Sequence, residues 1–241
     1  MPSLKFSDYL SESINDKGIF KAVFFAGAPG AGKSYVAQQI TSGSVAPRVV
    51  NTDKAYEFLV TAAGAEYSGV ADQYVDRATI LTQSSLVNYI NGVLPLYIDG
   101  TSNNPSALFQ RIGILESFGY DIAMVFINTD LQTALARAAE RDRYVPPEFI
   151  KSVYNTVNKN KSFYASKFGS KFFEVDNNGA IDNNTLLKGY KQVNGFFSSP
   201  IESPIGQDLA DRMVADHESY LAPKYFSIEQ IQKKVSVWYN T

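Results

Sequence analysis

The stretch IFKAVFFAGAPGAGKS, residues 19–34, decides the fold. Its first half is almost entirely apolar, which is typical of a strand buried inside a parallel sheet. Its second half follows the pattern G-x-x-x-x-G-K-[ST], and a helical pattern starts directly after it. A glycine-rich loop in that context can turn its backbone N–H groups onto a phosphate, toward which the positive end of the helix dipole also points. The stretch therefore predicts a P-loop.

The P-loop predicts a binding site for Mg-ATP. It consists of Gly27, Ala28, Pro29, Gly30, Ala31, Gly32, Lys33 and Ser34. We expect its backbone to hold the phosphates, Lys33 to bridge the β- and γ-phosphates as a catalytic cation, and the Ser34 hydroxyl to bind Mg²⁺. The alternative is a glycine turn with an ordinary surface lysine, which the flanking strand and helix disfavour.

The chain on either side of this loop alternates between strands and helices. Four more apolar runs predict strands at residues 48–51, 94–99, 120–127 and 171–175. Helical patterns cover residues 33–40, 54–63, 72–92, 105–118, 131–141 and 147–168. This order predicts an α/β fold of the P-loop NTPase, mononucleotide kinase-like type, with a parallel sheet and helices on both faces.

The composition shifts near residue 179 toward Gly, Ser, Asn and Pro, and we predict a domain boundary there. Residues 1–179 are predicted as the P-loop domain, which opens with a short packing helix at 4–14. Residues 180–241 are predicted as a small helical C-terminal extension with helices at 205–220 and 227–239.

Composition excludes several kinds of chemistry. The 241 residues contain no cysteine and one histidine, His217, so thiolate sites, histidine-rich metal clusters and a Ser-His-Asp triad are excluded or hard to assemble. A formal net charge of −2 gives no global signature of nucleic-acid binding. Since no signal peptide and no long apolar run is visible, we expect a soluble, cytoplasmic protein without a membrane partner.

Asp53 follows the second predicted strand, at the sheet edge where ligands bind in open α/β folds. A carboxylate there can accept the proton of an attacking hydroxyl, so Asp53 is a candidate general base and substrate-binding residue. The alternative is an N-cap for the helix at 54–63, because aspartate is a favoured capping residue. The two roles are compatible, and position alone leaves both open.

Asp99 ends the third predicted strand in the manner of a Walker-B carboxylate, which holds Mg²⁺ through water molecules. Asp99 is therefore a candidate metal ligand, and Asp99, Thr101 and Asn103 are all candidates for contact with the acceptor. The alternative is a polar loop before the helix that Pro105 opens.

Arg137 and Arg141 lie four residues apart and so on one helix face, within a predicted lid over residues 131–146. Guanidinium groups bind phosphate oxygens bidentately, so both arginines are candidate catalytic residues, and Arg137 is also a candidate nucleotide ligand. The competing interpretation is a solvated helix face on which Arg137 pairs with Glu140 or Asp142.

Residues 137–171 form a local basic segment, with eight Lys or Arg against three Asp or Glu. Interleaved aromatic residues could stack on bases, so the segment is consistent with a surface for a polyanion. Several of those aromatic side chains must instead belong to the core.

Taken in chain order, these segments resemble the kinase domain of phage polynucleotide 5′-hydroxyl kinase and its relatives, including the zeta-toxin kinases. The matching segments are residues 27–34, 51–53, 99–105, 136–141 and 145–154. The resemblance implies that Asp53 is the general base, that Arg141 stabilises the transferred phosphoryl group, that Arg137 flanks the donor phosphates and that residues 99–103 lie near the acceptor.

Two departures from the family pattern bear on function. No arginine follows shortly after Asp53, where the family motif carries one near the acceptor phosphate. The extension also lacks the D-x-D-x-T motif of the bifunctional members, so phosphatase activity is not expected.

The leading hypothesis is an ATP- and Mg²⁺-dependent kinase that phosphorylates a hydroxyl of a nucleic acid, at a 5′ end or on a modified base. The second is a small-molecule kinase acting on a nucleotide, nucleoside or nucleotide sugar, as zeta-type toxins do. The third is a nucleotide-binding switch without an acceptor.

Overall fold

A computed structural model describes residues 18–40, 45–64, 72–140, 145–179, 183–219 and 226–239. All five predicted strands are present, as β1 (Lys21–Ala26), β2 (Arg48–Val50), β3 (Leu96–Ile98), β4 (Asp121–Asn128) and β5 (Phe172–Asp176). They pair in parallel in the order β2-β3-β1-β4-β5. The predicted α/β fold, with its P-loop kinase type of parallel sheet, is confirmed.

The described residues form nine α-helices. They are α1 (Lys33–Ile40), α2 (Thr52–Ala62), α3 (Asp72–Asn91), α4 (Pro105–Glu116), α5 (Leu131–Ala139), α6 (Pro147–Phe168), α7 (Asn183–Ser198), α8 (Pro204–Ser219) and α9 (Ile228–Tyr239). Eight of them correspond to predicted helices, with ends that differ by a few residues. The predicted helix at 4–14 lies outside the described residues.

Helix α7 was missed because its glycines and asparagines obscured the helical pattern. Gly189, in its middle, is buried, and a Cβ there would lie 3.2 Å from Val175 of β5 and 3.3 Å from Ile40 of α1. Close packing against β5 and α1 therefore explains why a glycine occupies this helical position, although glycine lowers helix propensity. The prediction of only two helices after residue 179 was wrong for this reason.

The sheet separates two apolar layers, because successive side chains of a strand point to opposite faces. In β1, Ala22 and Phe24 face a layer built from α3, α4, α6, α8 and α9, whereas Val23 and Phe25 face a layer built from α1 and α7. Helices from both sides of residue 179 thus pack on the same sheet. The domain boundary itself stays a prediction.

The topology fixes where a ligand can bind. Strand β1 lies between β3 and β4, and the helices that follow β1 and β3 pack on opposite faces of the sheet. A crevice opens at the carboxyl edge where connections diverge in this way. Among the described helices, none combines the length and the apolar character needed to cross a bilayer.

Candidate active site

Two glycines allow the P-loop to lie against its neighbours. Gly30 and Gly32 have φ angles of 82° and 79°, in the left-handed region that favours glycine. A Cβ on Gly30 would overlap the carbonyl of Ala134 in α5, and one on Gly32 would overlap the side chain of Asn177. The loop is therefore seated between α5 and the segment that follows β5.

Lys33 lies across the loop it belongs to. Its Nζ donates hydrogen bonds to the carbonyls of Gly27 at 2.9 Å and Ala28 at 3.0 Å. Its ammonium group is therefore placed beside the backbone that the sequence predicts to hold phosphates.

Asp99 is the meeting point of three elements. Its Oδ2 accepts a hydrogen bond from Ser34 Oγ at 3.2 Å, at the start of α1, and another from Asn51 Nδ2 at 2.6 Å, at the end of β2. The structure therefore brings together the two predicted metal ligands, Ser34 and Asp99. Asn51 joins them although the sequence assigned it no role.

Asn51 also caps α2. Its Oδ1 accepts a hydrogen bond from the backbone N–H of Lys54 at 3.1 Å, so the helix begins at Thr52 instead of residue 54. Asp53 is exposed in the first turn, where a carboxylate interacts favourably with the helix dipole. The capping role considered for Asp53 was therefore wrong, since an earlier residue fills it.

The loop after β3 is attached to the P-loop. The N–H of Gly27 donates to the carbonyl of Thr101 at 3.3 Å, and the Thr101 hydroxyl donates to Asn103 Oδ1 at 2.9 Å. Asn104 caps α4, which Pro105 opens as predicted. The predicted acceptor residues Thr101 and Asn103 thus lie on a loop held beside the phosphate-binding motif.

Ser102 is the strained point of that loop, with a φ of 52°. Its hydroxyl donates to the carbonyl of Phe25 at 3.0 Å, and its own carbonyl accepts a hydrogen bond from the hydroxyl of Tyr164 at 2.6 Å. Burial raises the pKa of Tyr164 to about 12. These bonds fix the loop between β1 and α6.

Tyr97 is a second residue near Asp99 that the sequence analysis missed. It lies on β3, two residues before Asp99, which directly follows the strand, and continued strand alternation would place both side chains on one side of the sheet. Its hydroxyl is buried. Burial, and then the negative charge of Asp99, raise the pKa of Tyr97. The two-residue spacing was the available signal.

Arg137 lies beside the P-loop. It donates to the backbone carbonyls of Asn177 at 2.9 Å and Gly179 at 2.6 Å, and a Cβ on Gly32 would be 3.8 Å from its Nη1. The buried side chain of Asn177 in turn donates to the carbonyl of Ala31 at 2.7 Å. Among the described residues no carboxylate pairs with Arg137, so the pairing with Glu140 is not observed.

Part of the predicted lid lies outside the described residues. Helix α5 ends at Ala139, and residues 141–144, which include Arg141 and Asp142, are not described. The catalytic role of Arg141 stays a prediction.

The basic segment is less cationic in the structure than its composition indicates. Lys151, Lys161 and Lys171 form ion pairs with Glu148, Glu174 and Glu202, respectively. Two of the aromatic residues, Phe149 and Phe163, are exposed, whereas Tyr164 is buried. Glu148 is already counted within the segment, so only the pairs with Glu174 and Glu202 lower the net positive charge available to a polyanion below the value from composition.

Comparison with known proteins gives a family and a fold. The sequence model of the family described as zeta toxin matches residues 10–184. A candidate kinase from Chloroflexus aurantiacus superposes with a TM-score of 0.52 at 13% identity, covering 71% of this chain and 97% of that chain. The AvrRxo1-ORF1:-ORF2 complex with ATP gives a TM-score of 0.53 at 12% identity, covering 95% of this chain and 87% of that chain.

Proposed function

The chain belongs to the zeta toxin family, and on that premise we propose that it is an Mg-ATP-dependent kinase that phosphorylates a hydroxyl of a small molecule. The observation that carries the proposal is the junction at Asp99. Two side chains donate hydrogen bonds to the Asp99 carboxylate there. One is Ser34, the last residue of the P-loop, and the other is Asn51, which caps the helix that bears Asp53. Phosphoryl transfer needs donor and acceptor machinery at this proximity.

The donor side is assigned to the P-loop and Arg137. The backbone of residues 27–34 would bind the phosphates, and Lys33 would exchange its carbonyl partners for phosphate oxygens. Arg137 is held by neutral carbonyls and meets no carboxylate among the described residues, which favours its binding to an anion. ATP in the related AvrRxo1-ORF1:-ORF2 structure supports ATP as the donor.

The chemistry of the donor set fits Mg²⁺. Ser34 and Asp99 offer hydroxyl and carboxylate oxygens, the ligands that Mg²⁺ prefers. No group of three or more His, Cys, Asp or Glu that could hold a metal occurs in the part of the chain that the structure describes, which suits an ion bound mainly by phosphates. When bound, Mg²⁺ would neutralise charge that develops on the transferring phosphates.

In the proposed reaction the acceptor hydroxyl oxygen attacks the γ-phosphorus. The bond between that phosphorus and the β–γ bridging oxygen breaks, and ADP leaves. Asp53, exposed at the start of α2, takes the hydroxyl proton as general base. Arg141, with Arg137, would stabilise the charge on the transferred group.

A nucleotide, nucleoside or nucleotide sugar is the acceptor class that we favour. Family membership supports it, and the ion pairs of Lys161 and Lys171 with carboxylates outside the basic segment reduce the charge that a nucleic acid would contact. The second candidate is a nucleic-acid hydroxyl, which the exposed Phe149 and Phe163 favour as stacking surfaces.

A transfer assay tests the proposal. ATP labelled at the γ-phosphate would be incubated with the protein, Mg²⁺ and a panel of nucleosides, nucleotides, nucleotide sugars, 5′-hydroxyl oligonucleotides and hydroxymethylated DNA. Label on a small molecule supports the favoured acceptor class, whereas label only on oligonucleotides moves the assignment to the second candidate. Hydrolysis without any labelled acceptor contradicts a kinase and favours a nucleotide-binding switch.

The salt dependence of the KM for the acceptor is a second, independent test that distinguishes a small-molecule acceptor from a nucleic acid. Binding of a polyanion weakens steeply with salt, by at least about tenfold between roughly 50 and 200 mM when several phosphates are contacted. A small acceptor should show a much weaker dependence. A steep decline would contradict the favoured class.

A further inference from the structure

Two asparagines cap the helices α2 and α4 in the same way but differ in one contact. Asn51 caps α2 by accepting from the N–H of Lys54, and Asn104 caps α4 by accepting from the N–H of Ala107. Asn51 additionally donates from Nδ2 to Asp99. In the part of the chain that the structure describes, the side chain of Asn104 makes the cap bond alone. The hydrogen bond from Asn51 to Asp99 is therefore not explained by capping.

The chemistry of an amide explains why asparagine stands at this position. The cap needs an acceptor and the Asp99 carboxylate needs a donor, and an amide offers both on one rigid plane. Serine can cap the helix, but its side chain is one bond shorter and offers one polar atom where the amide offers two, and aspartate has no proton to donate when ionised. Exchanging the amide oxygen and nitrogen would set an oxygen against the carboxylate, so the orientation is fixed.

The contact links the two halves of the proposed reaction. Asp99 is joined to Ser34 of the first α1 turn at 3.2 Å and to Asn51 at 2.6 Å. Asn51 precedes Asp53 by two residues and defines the first turn of α2 in which that carboxylate lies. A displacement of the Asp99 carboxylate is therefore transmitted to the helix that carries the base.

We propose that Asn51 is a positioning residue that couples the Mg²⁺-binding carboxylate Asp99 to the base-bearing helix α2. The inference rests on the proposed function. It assigns to Asn51 an effect on the metal through Asp99 and an effect on the base through the first turn of α2. Partners that orient the ligands of a metal typically change affinity or activity by about 10- to 100-fold when removed.

Three variants separate the coupling from the cap. Asn51→Ser keeps a capping side chain and removes the donor to Asp99, whereas Asn51→Ala removes both. Asn104→Ser makes the matched change at a cap that lacks the contact. Each would be titrated with Mg²⁺ at fixed concentration of a non-hydrolysable ATP analogue, with binding measured by calorimetry and folding by thermal denaturation.

We expect Asn51→Ser and Asn51→Ala to require about tenfold more Mg²⁺ for half-maximal binding. The melting temperature should fall for Asn51→Ala and stay close to that of the unmodified protein for Asn51→Ser. Asn104→Ser should leave the Mg²⁺ dependence unchanged. In an Asp99→Asn background, Asn51→Ser should have little additional effect, because the contact that it removes depends on that carboxylate.

The kcat of Asn51→Ser is a further measurement, and it should not change if Asn51 only caps the helix. With the acceptor identified, Asn51→Ser should lower kcat about tenfold at saturating Mg²⁺ and leave the KM for the acceptor nearly unchanged. If Asn51→Ser binds Mg-nucleotide and turns over as the unmodified protein does, Asn51 is only a cap and the inference is wrong. If the unmodified protein shows no Mg²⁺-dependent nucleotide binding, the proposed function fails and the inference fails with it.

Discussion

The amino and carboxyl ends of the central strands both carry charged residues, but the burial and the partners of those charges differ between the two ends. At the amino end, Lys21 is 1% exposed and forms a 2.7 Å ion pair with Asp121, which is 6% exposed. The ammonium also donates to Ser199 and Pro200, so all three of its protons are used. Asp121 further accepts two backbone N–H groups at 2.8 Å, from residues 202 and 203. This end is closed.

At the carboxyl end the charges are partly exposed and are held by groups that a ligand can replace. Lys33 and Arg137 donate to backbone carbonyls, and Asp99 is shared between a hydroxyl and an amide. Among the residues that the structure describes, Arg137 and Asp99 form no ion pair, and neutral partners stabilise a charge less than an ion pair does, which leaves these two groups suited to phosphate and Mg²⁺. We propose that the difference separates charges that maintain the fold from charges that act in the reaction.

The largest expected effect is that of Asp53→Asn, which tests whether a charge at the carboxyl end affects activity and not stability. We expect kcat to fall by about a hundredfold to ten-thousandfold, because the amide cannot take the acceptor proton. The melting temperature should hardly change, since Asp53 is exposed. Steady-state kinetics and thermal denaturation would measure both. The matched control Asp211→Asn, at an exposed position of α8, should retain full activity, and equal activity of both variants would contradict the role of Asp53.

The opposite pattern is expected for Lys21→Met at the amino end. Removal of one partner leaves Asp121 buried without its counter-ion, so the free energy of unfolding should fall by about 3–5 kcal/mol. The folded fraction should keep its kcat and its KM for ATP. Denaturant titration and kinetics below the transition are the measurements. A large loss of kcat without loss of stability would show that the two ends are not separate in function.

Arg137→Lys tests whether the carboxyl-end arginine needs its planar fork. Lysine keeps the charge but cannot hold the carbonyls of Asn177 and Gly179 in the same geometry. We expect the KM for ATP to rise by about tenfold, the size of one charge-assisted hydrogen bond. Nucleotide binding can be measured by calorimetry. An unchanged affinity would favour the alternative of a solvated helix face.

The smallest effect is expected for Tyr164→Phe, which removes the hydrogen bond to the Ser102 carbonyl. We expect a loss of about 1 kcal/mol in unfolding free energy. The folded pKa of Tyr164 is about 12, above the usual value of 10.0, so its contribution is complete below about pH 10 and is lost as pH rises toward 12. The stability difference between the two proteins should shrink over that range. A difference that stays constant through pH 12 would contradict this assignment.

The sequence sufficed for the strands and the P-loop because their signals are local. Apolar runs such as β1 and the glycine spacing of residues 27–34 depend on few neighbours. The roles of Asn51 and Asn177 could not be predicted, because each depends on a partner far along the chain, Asp99 and Ala31. Helix α7 was missed for the same reason, since Gly189 is explained by residues of β5 and α1.

Trp238 is the only tryptophan of the chain, and it is buried on α9 with its ring stacked on Phe24 of β1 at 6.2 Å. The ultraviolet emission of an unlabelled sample excited in the tryptophan band therefore has a single source. While α9 remains packed against the strand that leads into the P-loop, this emission should be blue-shifted, and release of the helix should shift it to the red. The molecule thus contains its own optical probe of the attachment of its last described helix.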